Sequence, residues 1–573
     1  MGLTRRSLTG AAALAATGAM GGCGTLFTPP VTTLCPESLP TTGPAGPLTI
    51  DTHVHMFNGS DIQIREYIAK VRSLDTPGLK DLAGILQILG DAVAPSGEAE
   101  LTALRDLSAR LASACSPGEA KIALSAYADV QHQRSVQALK SAASRMRGRR
   151  RLGSFRGSGE TVADAIEALP DRYAPMAARR HRLRSARGSG RRDDGTKAAV
   201  DFVVHQLQYR FVNLIEFLNG YQVRSGRQID LALCHMLDFD WALAGGSPTP
   251  TTIEEQIDVM EQVAILTGGR AHGYAPFDPF KQVAHALGLE PANPFDRLAA
   301  AVMQRGCIGV KMYPPMGFAP FGNAFIPPSF WVGSSVPRAL QRPDLGVLLD
   351  QALGELYAWC VANAVPIMLH TSASNGPSIP FRETCTDPKN WARMPDDVAR
   401  NLRVSFGHFG DTEVGRGSTT RAQAYAALMG KPGDRGGRYY ADAAYFTHGL
   451  DNPATVRDAL RALYELTATR DAPLAERLMY GSDWEMLLIE GGDTTAYLGN
   501  FVGIFQALDR QPTLRAETPL SDRFFGLNAA RYLDLRSNTT NSTRGRLDRF
   551  YSAYGVPKPA WQVKVDRSAA LGA

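Results

Sequence analysis

Leu48-Thr49-Ile50-Asp51-Thr52-His53-Val54-His55 is the stretch on which the fold reading turns. It is short, β-branched and ends in polar residues, the pattern of a strand. Residues i and i+2 of a strand face the same side, so His53 and His55 can aim both imidazoles at one ion. Neutral imidazole is the commonest metal ligand and suits Zn, Fe, Ni or Cu. An isolated His-x-His also arises by chance, so its weight comes from the rest of the chain.

Downstream of Arg227, strand and helix signals alternate, as in βαβ units around a parallel sheet. Strands are expected at Ile229 to Leu237, Ala271 to Phe277, Cys307 to Tyr313, Pro366 to Thr371, Arg403 to His408, Tyr439 to Tyr445 and Leu478 to Asp483. Helices are expected at Ile253 to Leu266, Pro294 to Arg305, Val347 to Ala362 and Pro453 to Thr467. With the strand at Ile50 this makes eight units, which close a (β/α)8 TIM barrel. Between the first strand and Arg227 the pattern is helical, with apolar residues three and four apart in Leu79 to Leu89, Ala99 to Ala114 and Val200 to Leu218. The expected organisation is therefore a first barrel strand at 48–58, a mostly helical insertion at 59–226 capping one face, the rest of the barrel at 227–535 and a C-terminal extension at 536–573.

Other strand ends carry matching chemistry. Pro366-Ile367-Met368-Leu369-His370 is an apolar strand ending in histidine, and Val404-Ser405-Phe406-Gly407-His408 repeats the arrangement one unit later. Leu478 to Asp483 ends the eighth strand in a carboxylate. Four strand ends thus bring three or four nitrogens and one oxygen to one rim, where barrel enzymes keep their chemistry.

In this pattern the sequence resembles the amidohydrolase superfamily, in its branch of metal-dependent hydrolases and nonoxidative decarboxylases. The resemblance rests on DTHVHMF (51–57), GVKMYPP (309–315), PIMLH (366–370), FGHFGD (406–411), YGSDW (480–484) and FFGLNAARYL (524–533). It covers about Leu48 to His55 and Arg227 to Leu535; the insertion departs from the common pattern. It implies that His53, His55 and His370 bind a catalytic metal, that Asp483 is both ligand and proton carrier, and that His408 lies beside the water or substrate. A divalent ion lowers the pKa of a bound water toward about 7 and can polarise a carbonyl. Asp483 can take the water's proton and pass it to the leaving group. If His408 coordinates instead, the site holds two metals.

Three readings stay open for Lys311: a carbamylated bridge between two ions, as in some members of the superfamily, a cation for a substrate carboxylate, or a structural ion pair. One ion is expected, Zn first, with two if Lys311 is carbamylated. His235 and His272 can line the pocket but read better as satisfied core histidines. Asp278 reads as a turn residue, Trp484 and Glu485 as neighbours of the substrate, and Met316 to Pro337 as a fixed loop over the mouth. The leading function is hydrolysis of a C–N or C–O bond in a small molecule by metal-activated water. The alternatives are nonoxidative decarboxylation of an unsaturated or aromatic acid on the same site, and a non-catalytic surface lipoprotein.

The 573 residues carry a formal net charge of only +5, which gives no reason to expect a nucleic-acid partner. Two arginine runs, Arg145 to Arg151 and Arg179 to Arg192, are interrupted by glycines and read as solvated loops, with contact to an anionic lipid or polyanion as the alternative. Thr4-Arg5-Arg6-Ser7-Leu8, followed by an apolar run to Met20, resembles a twin-arginine export signal and is too short to span a bilayer. Met20-Gly21-Gly22-Cys23 resembles a lipoprotein cleavage box, which predicts a signal at 1–23, a lipid anchor at Cys23, a tether at 24–47 and a periplasmic or cell-surface location. Six other cysteines remain, without a CxxC pair; Cys234, Cys307 and Cys360 read as buried small hydrophobes.

Overall fold

The computed structural model describes residues 43, 45–75, 83–114, 116–148, 166–167, 202, 205–223, 226–410, 414, 420–429, 438–470, 473–490, 493–536 and 539–571. All lie in the compact unit Thr32–Ala573. The signal, Cys23, Cys35, Cys115 and most of both arginine runs fall outside the described residues.

Eight short strands form the sheet: β1 (Ile50–His55), β2 (Leu231–His235), β3 (Ala271–Pro276), β4 (Gly309–Met312), β5 (Ile367–His370), β6 (Val404–Gly407), β7 (Tyr439–Asp442) and β8 (Leu478–Met479). Each pairs in parallel with the next in sequence order. The two ends meet where Thr52 N donates to Tyr480 O at 3.0 Å and Asp483 N donates to His53 O at 2.8 Å, giving a near-closed barrel. Helices such as Ile253–Leu266 and Pro453–Thr467 run between the strands where the apolar period of 3.6 places them. The first of these opens with a reciprocal Thr252–Glu255 capping box.

Several strands stop before their apolar runs end. His408 and Asp483, expected as last strand residues, take left-handed φ values of 61° and 58°. Such backbone is uncommon outside glycine, costs of order 1–3 kcal/mol and gathers at functional sites. Here the chain breaks from the ladder and both side chains are left in the barrel mouth.

The region between β1 and β2 is helical, with helices at Ala83–Val93, Gly97–Ala112, Pro117–Gly148 and Arg210–Gly220. Arg145 belongs to the long helix Pro117–Gly148 rather than to a loop. A Cβ at Gly97 would fall 2.6 Å from Glu255 Cβ, so glycine is what lets the second of these helices start against the barrel helix Ile253–Leu266. At its other end the insertion is anchored by Arg210, whose Nε lies 2.6 Å from Glu100 and whose Nη2 lies 3.0 Å from Asp61, with all three side chains buried.

Residues after Leu535 form the barrel floor. Phe550, Tyr551, Trp561 and Val565 join a buried cluster with Ile50, Leu233, Tyr274, Ile308 and Met368 from the strands. Trp561 donates its indole N–H to Gly269 O at 2.8 Å, and Lys564 meets Asp230 at 2.6 Å. Cys234, Cys307, Cys360 and Cys385 are buried free thiols.

Candidate metal centre

The opposite, C-terminal end of the barrel gathers the chemistry. His53 Nε2 and His55 Nε2 lie 3.3 and 3.4 Å from Asp483 Oδ1, and all three residues are buried. These distances would suit charged pairs, yet burial, with Lys311 adding to it, holds both rings far below their ordinary pKa. Burial likewise pushes Asp483 well above the carboxylate range, with Lys311 opposing and Asp442 and Asp51 adding to it. Neutral rings offer lone pairs rather than protons here, and Asp483 Oδ1 has no hydrogen-bond partner. The three ligand atoms lie within 4.8 Å of one another, a spacing that could hold a metal ion.

Hydrogen bonds fix which nitrogen faces inward. His53 Nδ1 is 3.3 Å from Asp442 Oδ1, so its N–H is directed to that carboxylate and Nε2 keeps its lone pair. His408 Nδ1 donates to Ala444 O at 3.0 Å, which makes its Nε2 the acceptor for His370 Nδ1–H, also at 3.0 Å. His370 Nε2 is then an acceptor too, and Ser374 Oγ meets it at 3.1 Å. A carboxylate or carbonyl orienting a histidine in this way is the usual support for a metal ligand. The donor set fits a divalent ion.

Of the residues singled out from sequence, His53, His55 and Asp483 converge directly. His370 and His408 line the same small pocket as His55 and Asp483, with His370 turned toward Ser374 and stacked on Tyr313 at a ring separation of 4.3 Å. His408 forms a second possible metal-holding group with His53 and Asp442. Lys311 Nζ lies 3.5 Å from His53 Nε2 and 2.9 Å from Met368 Sδ, and burial pulls its pKa down to about 7.

His235 is drawn into the cluster, its ring 4.9 Å from that of His53, with Nε2 donating to Thr52 O and a buried Nδ1 that has no partner. His272 is not: it sits at the floor between Gly306 O and Tyr551 Oη. Asp278 caps the helix Pro279–Ala286. Trp484 and Glu485 face the insertion instead of the pocket, Trp484 against Phe217 and Glu485 accepting from Asn213 and Gln206. The segment after Met316 is held by Trp331 Nε1 donating to Gly317 O, and none of it lines the described pocket.

Asp442 was missed in the sequence. Its Oδ1 accepts from His408 N at 2.9 Å and Ala444 N at 3.2 Å, Oδ2 is buried without a partner, and burial raises its pKa to about 7. Asp442 ends the strand Tyr439–Asp442, but Ala443 and Ala444 continue the run, so the sequence does not mark it as a strand end.

A parallel eight-stranded barrel with buried histidines and carboxylates at the C-terminal strand ends defines a TIM-barrel protein with a possible metal site. Residues 271–535 match the Amidohydrolase family model. No curated protein matches the sequence. Among solved structures, an uncharacterized TIM-barrel protein from Bordetella bronchiseptica is similar at 16% identity and a TM-score of 0.31, over 53% of this chain and 78% of that one.

Proposed function

We propose that the protein is a metal-dependent hydrolase of a C–N or C–O bond in a small molecule, with the ion held by His53, His55, His370 and Asp483. The observation that carries this is the convergence of the buried His53, His55 and Asp483 ligand atoms, with Asp483 Oδ1 lacking any hydrogen-bond partner. His370 would join by exchanging its Ser374 contact for the ion. When bound, a divalent ion, Zn first, polarises the scissile carbonyl and lowers the pKa of the attacking water toward about 7.

The chain's own groups do the rest. Asp483 takes the proton from the attacking water and returns it to the leaving nitrogen or oxygen. His408, held by Ala444 and by its own strained backbone, orients the water or the substrate. Lys311 either meets a substrate carboxylate as the ammonium or, carbamylated, would help His408 and Asp442 hold a second ion.

Elemental analysis of protein purified without chelator should find about one divalent ion per chain. Asp483→Asn should retain weaker but measurable metal and lose at least about a hundredfold in turnover, the lower end of general acid–base catalysis. His370→Ala should lose metal and activity together. A screen of amides, lactones and aromatic acids in 18O-labelled water identifies the reaction. Release of carbon dioxide without label uptake would replace hydrolysis by decarboxylation on the same site, and a metal-free protein would leave only a binding scaffold.

A further inference from the structure

A second, larger space adjoins the metal-centre pocket. It measures about 870 Å³ including the open solvent at its mouth, against about 390 Å³ for the metal-centre pocket on the same measure. The two share Phe57, Ile62, Tyr67 and Met486, so they lie side by side. The larger one's walls are almost wholly apolar, with Ile64, Ile68 and Ile489 among them. Among the described residues that line it, Arg72 is the only one with a charged side chain; it donates to Asn375 Oδ1 at 3.0 Å, and Asn375 lines the metal-centre pocket. A pocket edged by histidines with an apolar space beside it matches an amphipathic molecule.

We infer that this chamber receives the unbranched hydrocarbon tail of an acyl substrate, an amide or ester whose carbonyl sits at the metal centre. The inference rests on the metal-centre reading above and adds the substrate class. Moving each methylene from water into the chamber favours binding, and the chamber lies beside the histidine pocket, where the carbonyl stays. Hydrolysis then places water's oxygen on the acyl carbon, breaks its bond to nitrogen or oxygen, and sends the proton to the departing group through Asp483.

Two probes test the chamber separately from the metal. On the metal-loaded full chain, n-alkyl hydroxamates from acetohydroxamate to octanohydroxamate should tighten about fourfold per methylene, the gain from burying a CH2 group. On metal-free protein, octanoate should displace 11-(dansylamino)undecanoate from the chamber far better than butyrate does. Ile68→Trp and Ile489→Trp should each lower the ratio of octanohydroxamate to acetohydroxamate affinity at least tenfold. Acetohydroxamate that binds only with metal, with no gain from chain length, would overturn the chamber and spare the metal centre. Chain-length selectivity in the dansyl probe without metal-dependent hydroxamate binding would do the reverse. Full chain-length gain in both tryptophan variants would also overturn it.

Discussion

His272 and His53 are both buried barrel histidines, and their partners separate them. His272 donates from Nδ1 to Gly306 O at 2.7 Å and accepts from Tyr551 Oη at 2.6 Å, so a neutral ring is fully satisfied. Burial holds its pKa down at about 4, against an ordinary 6.5. The folded state thus resists the proton that the unfolded chain accepts, so the stability this ring contributes is present above pH 6.5 and is lost as pH falls toward 4. The loss amounts to about 3 kcal/mol at most. His272→Gln should therefore be less stable than the parent at pH 7, and that deficit should shrink as urea unfolding is repeated down to pH 4. A deficit that stays constant with pH would show that the ring does not titrate against the fold. His53, by contrast, directs only Nδ1 to a partner oxygen and leaves Nε2 facing Asp483, the mark of a ligand rather than a strut.

At the scale of elements, the insertion depends on one cation. Arg210 opens the helix Arg210–Gly220, and its backbone N–H and Nε both donate to Glu100 on the helix Gly97–Ala112 while Nη2 reaches Asp61 after β1. Burial raises the pKa of both carboxyls, and the arginine opposes it. Arg210→Met strands two buried carboxylates and should cost about 3–5 kcal/mol at pH 7. Without the arginine both pKa values rise further above their unfolded values, so this cost should be relieved as pH falls and the carboxyls protonate. Comparison of urea midpoints at pH 7 and pH 5 measures the difference.

The barrel elements were legible because their signals are local. Ile253–Leu266 starts at its capping box and Pro453–Thr467 at its proline, each with the apolar spacing of a helix. Asp442 escaped because Tyr439 to Asp442 runs on smoothly into Ala443 and Ala444, with no change of period to mark the end of the strand. Trp484 and Glu485 turned away from the pocket because their partners, Phe217 and Asn213, lie in a helix far off in sequence, which no local pattern reveals. The apolar chamber escaped for the same reason: Ile64 and Ile489 meet only in the fold.

For the molecule as a whole, we propose export and lipid attachment at Cys23, on the strength of the paired arginines and the box before that cysteine. Cys23→Ala should move the protein from the membrane fraction to the soluble exported fraction, since bacterial lipoproteins carry more than the single acyl chain that anchors only marginally. A parent protein already soluble, with a mature chain starting elsewhere, would defeat that reading. Twin-arginine routes carry folded cargo, and the barrel's closure bears on when folding can finish. Thr52 Oγ1 donates to Tyr480 O across 428 residues of sequence, and His53 meets Asp483 beside it. Such distant pairings form late, because the loop between them must close first. While the ribosome is still translating, β1 has no β8 to pair with and His53 has no Asp483, so a stalled or truncated product could never assemble the ligand set. Arrival of the ion would then date the completion of the chain.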